Sequence, residues 1–272
     1  MGQLLRDDFR TARLVAVAGV CFAAAMARGD DQIPKREVIG RSLAGTEIVC
    51  ELYGQGEDVL LVLATIHGNE SAGTPLVAEF GKWLRAHPEE LTGRTAAIIP
   101  VANPDGMAKS VRLNDNGVDL NRNFPAGNWG EADVKPHGET PLSEPESRTV
   151  MRAICQYFPD RIVSIHQPLE CVDYDGPAEE LARAMADACP LKLEKLGGLP
   201  GSLGSFAGET LRIPIVTLEL PKEAPHDGPQ LWKTYGPALV AALRYEHRTP
   251  KGMGDSADED SRQVAKPQRN GK

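Results

Sequence analysis

Hydrophobic residues along the chain follow two alternating spacings, which predict strands separated by helices. The stretches "DVLLVLATIHG" (58–68) and "RTAAIIPVANPDG" (94–106) are almost continuously apolar up to their polar ends, as in strands that are buried on both faces. Between them, residues 72–86 place apolar side chains every three to four positions, which is the spacing of an amphipathic helix.

Further segments continue this alternation. Two more strands are predicted at "RIVSIHQ" (161–167) and "IPIVTLEL" (213–220), and helices over 143–158, 178–188 and 229–246. The first of these helices opens with Ser143 and Glu146, which have the spacing of a capping box. Nearer the N-terminus, residues 37–53 alternate loosely around Gly45 and predict a hairpin.

The order of these elements predicts the fold class. Strands that alternate with helices form a sheet covered on both faces, so we expect an α/β fold, a single domain with a mainly parallel, mixed central sheet flanked by helices. In such sheets ligands bind outside the carboxyl ends of the strands, and the chemistry of the protein is therefore expected there.

The two ends of the chain differ from its middle. Arginines precede an uncharged run from Leu14 to Ala27, which ends in Ala25-Met26-Ala27 and has the pattern of a secretory leader. The run is too short to span a bilayer comfortably, and a core-packed N-terminal helix is the alternative. We predict a signal peptide over 1–27, a folded domain over 28–248, a disordered tail over 249–272, and a periplasmic or secreted location.

Composition narrows the classes of partner. The chain has 272 residues, 41% of them hydrophobic, which suffices for one large domain. Its formal net charge of −8 argues against nucleic acid or an anionic membrane as a partner, because both need a basic face. The four cysteines after the leader either form one or two disulfides or remain buried thiols: Cys50, Cys155, Cys171 and Cys189.

Two histidine–glutamate pairs have identical spacing, so spacing alone does not identify a metal site. His67 and Glu70 directly follow a predicted buried strand, where ligands bind in α/β folds. His87 and Glu90 instead lie at the end of an amphipathic helix, where a solvated turn is expected. Only the first pair is therefore predicted to hold a metal.

Two further polar residues occupy predicted strands. His166 ends the strand at 161–167, and Glu219 lies inside the strand at 213–220, where a carboxylate is costly to bury without a partner. A satisfied core side chain would explain either residue alone. Together with His67 and Glu70, they indicate one site at the carboxyl edge of the sheet.

A long segment between residues 107 and 141, rich in Asn, Gly, Asp and Pro, supplies the remaining signal. Here the sequence resembles the zinc carboxypeptidases related to carboxypeptidase A, over about residues 38–246. The motifs that carry the resemblance occur in the family's order: His67-x-x-Glu70, Asn103-Pro-Asp-Gly106, Gly117-Val-Asp-Leu-Asn-Arg-Asn-Phe124, Ser164-Ile-His166 and Thr217-Leu-Glu219. Each motif is weak by itself, but the ordered set is specific.

The resemblance implies a catalytic domain that binds one zinc ion. By the family's pattern, the ligands are His67, Glu70 and His166, which leave a fourth position open for water. Glu219 matches the family's general base, which takes a proton from that water and passes it to the leaving amine.

The same resemblance implies roles for three residues of the long segment. Arg112 corresponds to the residue that stabilises the oxyanion, although a surface loop arginine is the alternative. Asn121 and Arg122 correspond to the pair that binds the carboxylate of the departing residue. Asp119 either belongs to the scaffold or orients a metal-bound imidazole. Asp105 is explained by local backbone bonding in a turn.

Within the family, the segments "NRNFPAGNW", "SIHQPLECVDYDGPA" and "LPGSLGSFAG" resemble the murein peptide amidases. Those enzymes cut between γ-D-glutamate and meso-diaminopimelate in peptidoglycan stem peptides, so the resemblance implies a peptide partner of this kind, a murein stem peptide. The glycine- and serine-rich stretch 201–205 lets backbone and hydroxyl groups approach a polar diaminopimelate side chain, or is an ordinary glycine loop.

Two other functions remain open from the sequence. A deacylase of N-acyl amino acids, like succinylglutamate desuccinylase and aspartoacylase, shares the His-Gly-x-Glu start, but the Asn103-Pro-Asp-Gly106 turn favours a peptidase. A peptidoglycan-fragment binder without turnover would retain the fold, but it has no need of the base that Glu219 supplies.

Overall fold

A computed structural model of the protein describes residues 34–130 and 136–246. The predicted signal peptide (1–27) and the predicted tail (249–272) lie outside the described residues, so the domain boundaries stay predictions. In the part of the chain that is described, no helix combines the length and the hydrophobicity needed to cross a bilayer.

The elements follow the predicted order with three additions, a short helix at Pro104–Lys109 and strands at Leu169–Asp175 and Lys192–Leu193. The strands are β1 (Lys35–Arg41), β2 (Glu47–Gly54), β3 (Asp58–Ala64), β4 (Arg94–Ile99), β5 (Arg161–His166), β6 (Leu169–Asp175), β7 (Lys192–Leu193) and β8 (Ile215–Pro221). The α-helices are α1 (Gly73–Ala86), α2 (Pro104–Lys109), α3 (Pro145–Tyr157), α4 (Glu179–Ala186) and α5 (Gly228–Arg244). Shorter helical turns lie at Pro88–Leu91, Leu120–Arg122 and Ser205–Thr210.

All eight described strands form one sheet in the order β1-β2-β4-β3-β5-β8-β6-β7. The central strands β4, β3, β5 and β8 are parallel, whereas β1, β2 and β6 pair antiparallel with their neighbours, except that β6 and β7 run parallel. The predicted α/β class with a mainly parallel, mixed sheet is confirmed, as is the hairpin, in which Gly45 adopts a φ of +87°.

The apolar run of β3 is explained by its position between two parallel neighbours. Leu60 and Val62 belong to the core under α1, α4 and α5, and Leu61 and Leu63 belong to the core on the opposite face. A central strand buried on both faces has no position for a polar residue until it ends, which is where the sequence places His67.

Strand β6 is not predicted from the sequence. Two exposed residues begin it, and the acids Asp173 and Asp175 alternate with Val172 and Tyr174, so it lacks the apolar character of the other inner strands. Its pairing with β8 nevertheless buries both acids, so the strand exists through tertiary pairing rather than through its own sequence.

The capping box predicted at the start of α3 is wrong. The N-cap position belongs to Glu144, and no side chain caps the helix there. Ser143 instead lies 2.7 Å from a carboxylate oxygen of Glu144, while the Glu146 carboxylate accepts a hydrogen bond from the backbone N–H of Leu43 at 2.9 Å. Contacts with distant segments therefore take the place of the local capping pattern.

The four cysteines among the described residues are free thiols, so the alternative of disulfides between them is excluded. Cys50 and Cys171 are buried, Cys189 is partly buried, and Cys155 is exposed. Burial raises the pKa of the Cys50 and Cys171 thiols to about 12, so both stay protonated near neutral pH.

Candidate metal centre

Three predicted ligands meet beyond the carboxyl ends of β3 and β5. Nδ1 of His67 lies 2.9 Å from Oε2 of Glu70, and Nδ1 of His166 lies 3.0 Å from the same oxygen. The two Nδ1 atoms are 3.2 Å apart. All three side chains are buried, and within residues 34–130 and 136–246 they form the one group of His, Cys, Asp and Glu able to hold a metal.

Hydrogen bonds on the outer side of each imidazole set its orientation. Nε2 of His67 donates to Oδ1 of Asp119 at 3.0 Å, and Nε2 of His166 lies 3.0 Å from the hydroxyl oxygen of Ser164. Because an ionised carboxylate only accepts, Nε2 of His67 carries the proton that it donates to Asp119, which makes Nδ1, facing Glu70, the nitrogen that would bind a cation. The sequence left Asp119 as scaffold or as an orienting group, and the structure shows it orienting His67.

The donor set fits zinc. Two imidazole nitrogens and one carboxylate oxygen are the ligands of many hydrolytic zinc sites, which keep a fourth position open. Ligand atoms about 2.1 Å from a tetrahedral zinc ion lie roughly 3.4 Å from one another. The three separations of 2.9 Å, 3.0 Å and 3.2 Å are slightly shorter, so a small outward movement accommodates one ion.

Glu70 is the most constrained member of this group. Burial alone would favour its neutral form, but hydrogen bonds with His166 and His67 outweigh that effect and hold its pKa well below its usual range. Its other oxygen, Oε1, accepts a hydrogen bond from Nη1 of Arg112 at 2.7 Å. Glu70 is therefore an ionised carboxylate, ready to bind a cation.

A close backbone contact fixes the turn that carries His67 and Glu70. A Cβ atom on Gly68 would lie 2.0 Å from the backbone of Gly106, so only glycine permits this approach. Gly106 belongs to α2, where its N–H donates to the side chain of the N-cap residue Asn103 at 2.9 Å. The His-Gly-x-Glu and Asn-Pro-Asp-Gly motifs therefore pack directly against each other.

Asp105 has a different role from the one predicted. It lies in α2, and its carboxylate accepts hydrogen bonds from the Ser42 hydroxyl at 2.8 Å and the Ala44 N–H at 2.9 Å. The interpretation as local backbone bonding is wrong, because the donors belong to the β1–β2 turn, about 60 positions earlier in the chain. Asp105 thus ties the edge hairpin to the site.

Glu219 lies next to His166 in the sheet. The two residues are paired in the register of β5 and β8, and Oε2 of Glu219 accepts a hydrogen bond from the N–H of Leu169 at 3.3 Å. Burial raises the pKa of this carboxylate above its ordinary value. Its carboxylate forms no hydrogen bond or ion pair with His67, Glu70 or His166, which agrees with the predicted role in proton transfer.

Arg112 is held at the edge of the metal centre by two acids. Its Nη1 binds Glu70, and its Nε donates to Oδ2 of Asp119 at 3.0 Å. The side chain remains 39% exposed, so its guanidinium borders both the buried ligands and the open side of the site. These two contacts favour the assigned position over the alternative of a surface loop arginine, and the role of Arg112 stays a prediction.

Asn121 and Arg122 follow directly on Asp119. Oδ1 of Asn121 accepts a hydrogen bond from the N–H of Leu203 at 2.8 Å, which leaves the N–H groups of that side chain as its remaining donors. The hydrogen bond of Arg122 within the described residues is to a backbone oxygen, the carbonyl of Asn121, at 2.7 Å. Both side chains thus retain donors for an anionic ligand.

The second histidine–glutamate pair has structural contacts only. Nδ1 of His87 donates to the backbone oxygen of Trp83 at 2.9 Å, and the two rings stack with centroids 4.6 Å apart. Glu90 forms an ion pair with Arg244. The prediction that only the first pair belongs to a metal centre agrees with this arrangement.

Sequence analysis missed Ser164 as a functional partner, although the signal was present. Residues two apart on a strand face the same side of the sheet, so a hydroxyl two positions before His166 was placed to reach its ring. The missed strand β6 similarly hid the Leu169 N–H that binds Glu219.

Comparisons with known proteins agree with this geometry. Residues 21–173 match the family described as zinc carboxypeptidase. Murein peptide amidase A of Escherichia coli is 34% identical over 205 residues, covering 69% of this chain and 82% of the amidase. The Vibrio campbellii protein of the same name is 33% identical over 177 residues, covering 59% of this chain and 68% of its own.

Solved structures show the same fold. The murein-tripeptide amidase of Escherichia coli matches with a TM-score of 0.59 at 29% identity, covering 83% of this chain and 95% of the amidase. A carboxypeptidase A from Helicoverpa armigera matches with a TM-score of 0.62 at 17% identity, covering 88% of this chain and 81% of the other, and supports the fold alone.

Replacing Asp119 with alanine is expected to weaken zinc binding by roughly 10- to 100-fold, because His67 loses the acceptor that fixes its tautomer. Competition with a chromophoric chelator measures the change. Asp115→Ala is the matched control, since Asp115 is an exposed acid of the same loop that pairs with Lys109. Equal zinc affinity in Asp119→Ala and Asp115→Ala would contradict the orienting role.

Proposed function

The chain belongs to the zinc carboxypeptidase family, and we propose that it hydrolyses the bond between γ-D-glutamate and meso-diaminopimelate in peptidoglycan stem peptides. The observation that carries the proposal is the buried cluster of His67, Glu70 and His166 with Glu219 paired beside it. Metal binding accounts for the three ligand residues. It does not account for Glu219, an additional buried carboxylate that forms no hydrogen bond with them, and a catalytic role does.

When zinc is bound by the triad, it supplies a Lewis acid that polarises the scissile carbonyl and makes water a better nucleophile. Glu219 accepts a proton from the attacking water and transfers it to the leaving amine. Its raised pKa brings it closer to the operating pH, which favours both steps.

Arg112 stabilises the negative charge that develops on the carbonyl oxygen. Its Nε donates to Asp119 and its Nη1 to Glu70, so these two bonds hold the guanidinium in place and the N–H groups of Nη2 remain for a new acceptor. Because the donor is already positioned, little reorganisation is needed as the charge forms.

Asn121 and Arg122 bind the free carboxylate of the departing residue. The guanidinium fork of Arg122 suits a planar anion, and the amide of Asn121 adds a neutral donor beside it. Diaminopimelate released from the end of a tripeptide has such a carboxylate. The named relatives are amidases of murein peptides, which supports this choice of substrate.

The N-terminal pattern supports export to the periplasm or beyond as part of the proposal, because arginines followed by an apolar run and small residues are typical of a signal peptide. An exported enzyme would trim stem peptides at the cell wall. The alternative functions remain a deacylase of N-acyl amino acids and a binder without turnover. Measuring which substrates the protein hydrolyses distinguishes both from the proposed activity.

We expect purified, zinc-loaded protein to release free meso-diaminopimelate from L-alanyl-γ-D-glutamyl-meso-diaminopimelate, as measured by mass analysis of the digest. N-acetylaspartate and N-succinylglutamate, incubated in parallel, are expected to remain intact. Turnover of either compound in preference to the tripeptide would identify a deacylase. Binding of the tripeptide without any cleavage would identify a binder.

The Glu219→Gln variant is expected to keep its zinc and its affinity for the substrate but to lose roughly 10³-fold in kcat, because an amide cannot accept the proton from water. Zinc content and steady-state rates measure both properties. Glu223→Gln, which changes an exposed acid nearby, is the control and should retain the parent rate. Equal rates in parent and Glu219→Gln would exclude the assigned base.

Replacing Arg122 with methionine is expected to reduce kcat/KM on the tripeptide by about 100-fold, because a buried carboxylate loses its charged partner. The same tripeptide with an amidated terminal carboxyl group serves as the matched substrate, and Arg122→Met should alter its much lower kcat/KM far less. If both substrates lose activity equally, Arg122 does not bind the terminal carboxylate.

A further inference from the structure

Gln167, the residue directly after the predicted ligand His166, forms side-chain hydrogen bonds with two other segments of the site. Its Oε1 accepts a hydrogen bond from the N–H of Ala72 at 3.1 Å. Its Nε2 donates to the backbone oxygens of Pro221 at 3.0 Å and Lys222 at 3.3 Å. A backbone N–H only donates and a backbone oxygen only accepts, so these partners fix the orientation of the amide.

These hydrogen bonds join the segments that follow β3 and end β8, the two neighbours of β5 in the sheet. Ala72 lies in the turn between β3 and α1 that carries two of the predicted ligands, and Pro221 lies two positions after the proposed base. In the register of β5 with β8, the last pair is His166 with Glu219. The amide of Gln167 therefore extends the connection between these strands beyond the end of their pairing.

Backbone N–H groups of the same segment bind both a predicted ligand and the proposed base. The N–H of Gln167 donates to Oε2 of Glu70 at 3.2 Å, and the N–H of Leu169 donates to Oε2 of Glu219 at 3.3 Å. A carboxylate oxygen accepts more than one bond, so the first contact leaves Oε2 of Glu70 able to bind a cation. The position of this segment therefore sets where Glu219 lies relative to Glu70.

The side chain of Gln167 has a large share in holding this segment, because packing contributes little there. Pro168 and Leu169 are exposed, so burial in a core does not fix them. Pro221 lies opposite Leu169 in the register of β6 and β8, but proline has no N–H to donate, and its carbonyl binds Gln167. Misplacing reacting groups by about 1 Å costs on the order of 100-fold in rate, so a modest shift of this segment matters.

We propose that Gln167 is a positioning residue, whose side-chain amide fixes Glu219 relative to the metal ligands for proton transfer. It acts through the N–H of Leu169 and the end of β8, and not by contact with the reacting atoms. The inference rests on the proposed function, to which it adds a residue outside the ligands, the base and the substrate-binding pair.

Gln167→Met tests this role, because methionine is similar in length but lacks the N–H donors and the carbonyl acceptor. We expect kcat of the zinc-loaded variant on L-alanyl-γ-D-glutamyl-meso-diaminopimelate to fall roughly 100-fold, with KM within about threefold of the parent. Zinc affinity, measured by chelator competition, is also expected to stay near the parent value, because the backbone N–H that binds Glu70 remains.

Hydrogen exchange of the zinc-loaded protein without substrate gives a readout that is independent of turnover. The Leu169 N–H is expected to exchange about tenfold faster in Gln167→Met, because its bond to Glu219 opens more often. The N–H of Val163, in the middle of β5, is expected to exchange at the parent rate. Unchanged exchange at Leu169 would overturn the inference even if kcat falls.

Gln156→Met is the matched control, since it makes the same substitution at a glutamine of α3 that binds Glu37 of the edge strand β1 at 3.1 Å. It should keep the parent kcat and the parent exchange at Leu169. Gln167→Asn is the second test variant, because its amide is one methylene shorter and cannot reach both partners. It should also lose kcat, and it replaces Gln167→Met if that variant does not fold.

The outcomes separate this inference from the proposed function. A lower unfolding temperature with the parent kcat would show a purely structural role for Gln167 and overturn the inference, while the function stands. A loss confined to KM or to zinc affinity would also overturn it, because Gln167 would then act in binding. If the parent itself does not hydrolyse the tripeptide, the proposed function is wrong and the inference falls with it.

Discussion

The structure depends on a buried carboxylate held between two imidazoles. Glu70 places one oxygen 2.9 Å from His67 and 3.0 Å from His166, and its other oxygen binds Arg112. The centre brings together three carboxylates, those of Glu70, Asp119 and Glu219, against the guanidinium groups of Arg112 and Arg122. A bound cation would offset the remaining negative charge and so favour burying these acids together.

Each side of this centre is built by a different part of the chain. The parallel strands β3, β5 and β8 end at one edge, where the predicted ligands and the proposed base lie, because the carboxyl ends of parallel strands meet there. The loop between α2 and α3 supplies Arg112, Asp119, Asn121 and Arg122, and Asp119 joins it to the metal centre through His67. The strand ends and the turn after β3 position the predicted ligands and the proposed base, and the loop positions the proposed substrate-binding groups.

Buried polar contacts, rather than long helices or strands, hold the described parts of that loop. Nδ2 of Asn114 donates to Glu144 at 2.7 Å and to Glu146 at 3.1 Å, and Nδ2 of Asn123 donates to the backbone oxygens of His137 and Thr140. These bonds explain why the predicted capping box at α3 is absent, since its glutamate is already used by the loop and by Leu43. The polar residues that give this segment its irregular sequence pattern also supply side chains that form hydrogen bonds with its backbone.

The sequence by itself determined the hairpin, the four central strands, the helices α1, α3, α4 and α5, and the predicted metal ligands. The apolar runs of β3 and β5 lead to His67 and His166, as expected of buried strands whose functional side chains lie at their carboxyl ends. The place of His67 and Glu70 after a buried strand separated them from His87 and Glu90, which share their spacing. Only the tertiary structure decided that β6 is a strand, that its acids Asp173 and Asp175 are buried, and that Asp105 binds the distant β1–β2 turn. Those features arise from contacts between segments that are far apart in the chain. A local residue pattern does not specify which distant donors or strands a segment will contact.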